Sequence, residues 1–231
     1  MKADELHENI LTLDTHLDTP LHLMRSGFDF GIRHDPHQSG CKCDLPRMLE
    51  GGLDAAFFAL FVGQGPRSPE SNEKARKRAL KIYEAVREMS EANSEQVEPA
   101  FSPEDAFRIK ESGKRAVYLG LENGYAIGND LSLIQTYHDL GVRYVTLCHN
   151  RHNDICDSST DPKGPEHDGL SDYGRKVIQE MNRLGMIVDV SHISNKSFYD
   201  VIEVSETPVA ATHSCARALC DHPRNLDDKM L

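Results

Sequence analysis

Histidines and carboxylates stand at the ends of successive predicted strands in this sequence. The first apolar run ends in His16-Leu17-Asp18, and residues at i and i+2 of a strand point to the same face. Residues of similar chemistry lie at the ends of four later strands: Glu122, His149, His192 and His213. Because the carboxyl ends of parallel strands meet on one rim of a barrel, we expect these side chains to converge. Three of these four histidines and the two carboxylates could hold two borderline divalent ions, with one carboxylate bridging them.

Taken one at a time, these residues are weak indications of a metal site. The His-x-Asp spacing arises often by chance, and a lone histidine after a strand is usually an ordinary loop residue. Glu122 alone could be a solvated acid or a partner to a helix N-terminus. Recurrence is what favours a site, because chance would not place such residues at the same end of each strand.

Short β-rich runs alternate with longer amphipathic stretches along the chain. We expect strands at residues 10–13, 55–62, 116–121, 143–148, 186–190 and 209–212. We expect helices at residues 69–92, after an N-cap at Ser102, and at 131–140, 171–184 and 194–204. This alternation, without hairpin turns between the strands, predicts parallel βαβ units.

The length of the chain limits the architectures that these units can build. A chain of 231 residues and 25.9 kDa fits one domain with a sizeable core. A closed (β/α)8 barrel needs eight strands and usually about 250 residues, whereas six strands are predicted. The pattern therefore leaves two architectures, an open parallel sheet or the first part of a longer barrel.

Composition excludes several classes of function. The net charge of −11 argues against a broad nucleic-acid-binding surface. The longest apolar run, residues 55–62, is far shorter than the roughly 20 residues that span a bilayer. The N-terminal segment MKADELHENI has no apolar stretch typical of a signal peptide, so we expect a cytoplasmic protein. Six cysteines without C-x-x-C spacing are expected to be reduced thiols.

Several longer segments resemble one known family. They are His16-Leu17-Asp18, Gly120–Gly124 (GLENG), Tyr144–Asn150 (YVTLCHN), Gly169–Gly174 (GLSDYG), Asp189–His192 (DVSH), Thr212–Leu219 (THSCARAL) and Pro223-Arg224-Asn225. Together, in this order, they resemble the renal (membrane) dipeptidase family of zinc peptidases and span nearly the whole chain.

The resemblance implies a fold and a metal site. The fold is a (β/α)8 TIM-type barrel of the metal-dependent hydrolase kind, truncated here after about six strands, so that residues 1–231 form one incomplete barrel domain. The cofactor is Zn²⁺, two ions per complete site. By position, His16 and Asp18 would bind the first zinc, Glu122 would bridge both ions, and His192 and His213 would bind the second.

The resemblance also implies an activity, the hydrolysis of dipeptides by a hydroxide that bridges the two metal ions. His149 would bind the substrate near the scissile carbonyl and stabilise the oxyanion, and Arg224 would hold the free carboxylate of the dipeptide. The family's further catalytic aspartate falls in a segment beyond Leu231. The expected partner is a small dipeptide, and a homodimer is left open.

Two alternatives to a dipeptidase remain at this point. One is another binuclear-metal amide or ester hydrolase with the same ligands, and the other is a metal-binding chain without turnover. Asp189, Asn150 and Asp154 could orient ligand histidines, although loop capping is the preferred expectation for Asn150 and Asp154. Arg217 is expected to be structural. Ordinary loop or surface positions are expected for the other histidines singled out: His22, His34, His37, His138, His152, His167 and His222.

Overall fold

The computed structural model describes residues 2–231. The strands are β1 (Leu13–Leu17), β2 (Ala55–Phe61), β3 (Val97–Pro99), β4 (Arg115–Glu122), β5 (Val142–Thr146) and β6 (Ile187–Asp189). The helices are α1 (Ala3–Asn9), α2 (Pro20–Leu23), α3 (Pro36–Ser39), α4 (Leu45–Glu50), α5 (Pro69–Ala92), α6 (Pro103–Glu111), α7 (Ser132–Asp139), α8 (Asp172–Leu184) and α9 (Asn195–Val204). A 3₁₀ turn covers Gly124–Ile127.

The long helices begin and end where local side-chain chemistry predicts. Helix α5 has the predicted bounds, and α6 begins after Ser102, whose side chain accepts a hydrogen bond from the backbone N–H of Asp105. Ser171 and Ser194 cap α8 and α9 in the same way. Helix α8 ends at Gly185 with φ of 70°, a conformation that favours glycine.

Two strand predictions were wrong. Residues 209–212 form no strand; Ala210 makes only a parallel bridge with Asp189. The N–H of Thr212 donates to the carboxylate of Asp189 instead of a strand carbonyl, so the ladder ends there. The three-residue strand β3 was missed because it is too short to show a period-two pattern, yet it pairs in parallel with β4. Strand β1 also lies a few residues later than predicted and includes His16.

The chain forms two compact units. The first runs up to Leu60 and includes Leu80–Gly120. In it β1 pairs in parallel with β2, with Leu13 opposite Ala55, and β3 pairs with β4. Strand β2 is buried at every position except Phe61, which explains its continuous apolar run. Large buried side chains of this unit include Phe30, Met48, Phe58, Ile82 and Ile109.

The second unit comprises Phe61–Ala79 and Leu121–Leu231. Strands β5 and β6 pair in parallel, and α7, α8 and α9 pack in succession, with α8 against β6. Val62 donates from its N–H to the carbonyl of Glu122 at 3.2 Å, which joins the ends of β2 and β4. The carboxyl ends of these strands therefore lie in one unit with the loops that follow them.

All six cysteines are free thiols in the structure. Among the described residues, no helix has both the length and the apolar character to cross a bilayer.

Candidate metal centre

Three histidine side chains meet one carboxylate oxygen in the second unit. Glu122 Oε1 lies 3.4 Å from Nε2 of His192, 3.5 Å from Nε2 of His213 and 3.7 Å from Nε2 of His149. Glu122, His149 and His192 each offer a ligand atom within 4.8 Å of the others. Four residues from distant parts of the chain thus form one cluster, which we call the His–Glu cluster.

Three members of the His–Glu cluster are placed by strand ends, whereas His213 follows residues 209–212, which form no strand. Glu122 is the last residue of β4, not the first residue after it. His149 and His192 each lie three residues beyond the last residue of β5 and β6, respectively. His192 has φ of 74°, which is uncommon for a residue other than glycine. Such a conformation persists only where surrounding contacts support it, and it is concentrated at functional sites.

In His192 and His213, the ring nitrogen that does not face Glu122 lies beside a hydrogen-bonding oxygen. His192 Nδ1 lies 3.1 Å from Asn150 Oδ1. His213 Nδ1 lies 2.8 Å from Thr212 Oγ1, and that hydroxyl donates to Asp189 Oδ2 at 2.7 Å. With both Nδ1 atoms held in this way, both Nε2 atoms point toward Glu122. Metal-binding histidines commonly have this support on the nitrogen that does not bind the metal.

The charge state of the His–Glu cluster suits a cation. Burial lowers the pKa of His192 to about 4, although the hydrogen bond with Glu122 acts to raise it. At neutral pH His192 is therefore uncharged, the form in which imidazole binds a metal. The Nε2 atoms of His192 and His213 lie only 2.8 Å apart, so either one nitrogen donates a hydrogen bond to the other or a cation lies between them. Nitrogen and carboxylate donors together are the ligand types that zinc takes.

Arg224 lies against the backbone of a cluster residue. Its guanidinium donates to the carbonyl of His213 and to the hydroxyl of Ser214, both at 3.2 Å. Burial lowers the pKa of Arg224, while the carboxylates of Asp189 and Glu122 act to raise it. These two hydrogen bonds occupy two of the five N–H donors that a guanidinium carries.

His16 and Asp18 lie in the first unit, at the end of β1. The imidazole Nε2 of His16 is 3.9 Å from the carboxylate Oδ1 of Asp18. The His16 side chain is 9% exposed and that of Asp18 is 63% exposed. The i, i+2 spacing therefore does bring an imidazole and a carboxylate together at this strand end.

One expectation about the loop after β5 was wrong. His152 does lie in this loop, but its side chain is buried, with Nε2 2.6 Å from the carbonyl of Gly164 and Nδ1 accepting from the N–H of Ser158. Asn150 faces His192 instead of capping the loop. The only signal in the sequence was the position of Asn150 directly after His149. Both contacts depend on the path of a long loop, which local patterns do not specify.

Two neighbouring polar residues make structural contacts outside the His–Glu cluster. The carboxylate of Asp154 forms an ion pair with Arg67, and the backbone carbonyl of Asp154 accepts from the hydroxyl of Ser171. Arg217 donates to the carbonyl of Asn225 at 2.6 Å, which ties two segments of the C-terminal region.

Parallel βα units with histidines and a glutamate gathered at the strand ends define the class of metal-dependent hydrolases built on TIM-type barrels. The comparison with family models gives the particular family. The chain belongs to the membrane dipeptidase family, peptidase family M19, whose model matches residues 1–231. The resemblance predicted from the sequence motifs is thereby confirmed.

Curated relatives of the chain are named dipeptidases. Dipeptidase tcpJ of Claviceps purpurea is 37% identical over 225 residues, which cover 94% of this chain and 52% of the relative. Dipeptidase 3 of Macaca fascicularis is 32% identical over 240 residues, which cover 100% of this chain and 46% of the relative. The chain spans about half the length of these curated relatives.

Solved structures confirm the TIM-barrel-type α/β fold. The probable dipeptidase PvdM from Pseudomonas aeruginosa matches with a TM-score of 0.88 and 32% identity, over 99% of this chain and 58% of that one. A metallopeptidase from Rhodobacter sphaeroides, bound to a phosphinate mimic of the dipeptide L-Ala-D-Ala, matches with a TM-score of 0.79 and 26% identity. That match covers 96% of this chain and 70% of the other.

Proposed function

We propose that this chain is the catalytic part of a zinc-dependent dipeptidase. The observation that carries the proposal is the convergence of three imidazole Nε2 atoms on a single oxygen of Glu122. Family membership supports the substrate class, since the relatives are named dipeptidases. The dipeptide mimic bound by the Rhodobacter sphaeroides structure supports a substrate with a free carboxylate.

The proposed site would take two zinc ions. His16 and Asp18 would be ligands of the first ion, His192 and His213 would be ligands of the second, and Glu122 would serve both. When bound, the two ions would supply a nucleophile at neutral pH, because zinc lowers the pKa of water to about 7. The chain contributes the arrangement of donors: a neutral, buried His192, and the side-chain oxygens of Asn150 and Thr212, which lie within hydrogen-bond distance of Nδ1 of His192 and His213, respectively.

His149 and Arg224 are proposed to act on the substrate. The centroid of the His149 ring lies 4.2 Å from that of His192 and 4.8 Å from that of Phe61, and this packing fixes the orientation of His149. Its side chain is 23% exposed, so one edge remains accessible to a substrate. A donor held at this position stabilises the oxyanion that forms on the scissile carbonyl. The planar guanidinium of Arg224 suits a bidentate pair with the terminal carboxylate.

Zinc content and hydrolysis test the proposal together. The purified full-length protein should contain zinc and hydrolyse Gly- or Ala-containing dipeptides, and His192→Ala should lose both. The loss should exceed the roughly 10–100-fold effect of removing an outer hydrogen-bond partner of a ligand. His138→Ala, on the outer helix α7, is the matched control and should keep both properties.

Three results would argue against the proposal. Fewer than one zinc per chain, or hydrolysis unchanged in His192→Ala, would overturn it. Zinc binding without hydrolysis would favour the alternative of a metal-binding chain without turnover.

A second candidate is a hydrolase of another amide or ester. It is favoured by the match to a structure described as an amidohydrolase from Pseudomonas aeruginosa, with a TM-score of 0.78 and 26% identity over 99% of this chain. Arg224→Ala separates the two candidates. A substrate with a free carboxylate should bind far more weakly, seen as a raised KM, whereas a neutral substrate should be unaffected.

A further inference from the structure

Asn150 makes a contact that the metal chemistry of the His–Glu cluster does not by itself require. Its side-chain oxygen Oδ1 lies 3.1 Å from Nδ1 of His192, although the two residues are 42 positions apart in the chain. The opposite nitrogen of that ring, Nε2, faces Glu122 Oε1 at 3.4 Å and His213 Nε2 at 2.8 Å. The imidazole of His192 therefore faces an amide oxygen at Nδ1 and the other members of the His–Glu cluster at Nε2.

In a neutral imidazole, this contact determines which of the two tautomers is favoured. One ring nitrogen carries the proton and the other carries a lone pair. An amide oxygen is only an acceptor, so the nitrogen that faces it must be the protonated one. The lone pair then lies on Nε2, directed into the His–Glu cluster.

We infer that Asn150 is a positioning residue that holds His192 in the tautomer with the proton on Nδ1, and so presents the Nε2 lone pair to the metal. The second part of this inference rests on the proposed zinc site, whereas the tautomer itself does not depend on a metal.

Hydrogen bonds to the backbone around His192 keep the side chains of Asn150 and His192 in contact. The carbonyl of His192 accepts from the N–H of Ser159 at 2.8 Å. Ser158 Oγ donates to the carbonyl of His149 at 2.7 Å, and Thr160 Oγ1 to the carbonyl of Asn150 at 3.3 Å. Asn150 is thus part of a loop tied directly to the residue that it contacts. These ties also support the unusual backbone conformation of His192.

The exposure of the two residues makes the contact testable without damage to the fold. His192 is 7% exposed, whereas Asn150 is an exposed residue. Truncation of Asn150 therefore removes no core packing. The effect expected is confined to the orientation and protonation of the imidazole.

The tautomer can be read by ¹⁵N NMR of the imidazole in the metal-free full chain. We expect wild type and Asn150→Asp, which keeps an acceptor oxygen, to show a protonated Nδ1 on His192. Asn150→Ala should lose this preference and show the proton on Nε2 in part of the population. Asn129→Ala, a change at another exposed asparagine, is the matched control and should resemble wild type.

Zinc affinity, measured by competition with a chelator, tests the second part. Asn150→Ala should bind zinc about 10–100-fold more weakly than wild type, and Asn150→Asp should restore the affinity. An unchanged tautomer in Asn150→Ala would overturn the inference. A changed tautomer with unchanged affinity would overturn its link to the metal. Absence of zinc binding in wild type would instead overturn the proposed function and leave the tautomer result standing.

Discussion

The hydroxyl of Thr212 donates to the fully buried carboxylate of Asp189 at 2.7 Å. The oxygen of this hydroxyl, Thr212 Oγ1, lies 2.8 Å from Nδ1 of His213. Asp189 also accepts from the N–H groups of Ser191 and Thr212 and from the hydroxyl of Thr146. The carboxylate is thus satisfied by four groups, and one of these connects it to a member of the His–Glu cluster. Asp189 therefore orients a candidate ligand, and it does so through Thr212.

Removal of the hydroxyl at position 212 should weaken metal binding. Thr212→Val keeps the shape of the side chain but deletes the acceptor for His213 Nδ1, so we expect zinc affinity to fall about 10–100-fold. Thr212→Ser retains the hydroxyl and should stay close to wild type. The measurement is a zinc titration against a chelator, and equal affinities in both variants would contradict a positioning role for the hydroxyl.

Loss of the buried carboxylate should destabilise the second unit. Asp189→Ala leaves its buried donors without a partner, and each such group costs about 1–3 kcal/mol. We expect the free energy of unfolding to fall by about 3–5 kcal/mol in urea titrations of the metal-free chain. Asp139→Ala, at an exposed carboxylate on α7, is the control and should change stability by no more than about 0.5 kcal/mol. A similar effect in both variants would show that the hydrogen bonds of Asp189 contribute little.

Metal removal should lower thermal stability. A ligand that binds only the folded chain stabilises it by about 2.7 kcal/mol at 100 times its Kd. Treatment with a chelator should therefore lower the Tm, and added zinc should restore it. In His192→Ala the Tm should respond weakly to zinc, and a full zinc response in this variant would place the metal elsewhere.

The loop after β5 should lose stability in acid through Asp157. Burial alone would raise the pKa of this carboxyl, but backbone N–H groups of Gly169, Glu166 and His167 outweigh burial and hold its pKa below the usual value. The carboxylate therefore stabilises the fold above the ordinary aspartate pKa of about 3.9, and this contribution is lost as the pH falls through the lowered value.

Asp157→Asn makes this pH dependence measurable. The variant should be less stable than wild type by about 1–3 kcal/mol at neutral pH. The difference should shrink as the pH falls below about 4, where the wild-type carboxyl begins to bind a proton. Unfolding free energies across this pH range check the prediction, and a difference independent of pH would contradict it.

The longer helices α5 to α9 were largely readable from the sequence, whereas the short helices α1 to α4 were not predicted. The cap at Ser102, the long charged helix α5 and the glycine at position 185 depend on residues only a few positions apart, so local chemistry decides them. The predicted strand at 209–212 was lost to a competing interaction, the bond from Thr212 to the Asp189 carboxylate, that local chemistry does not reveal.

By itself the sequence determined which residue types stand at the strand ends, and its motifs identified the family. Only the tertiary structure decided that three imidazoles share one oxygen of Glu122, and that Asn150 and Thr212 face the far sides of two of them. The physical reason is the range of the interactions. Strand and helix signals arise between near neighbours, whereas these contacts join distant segments and depend on how buried polar groups find partners.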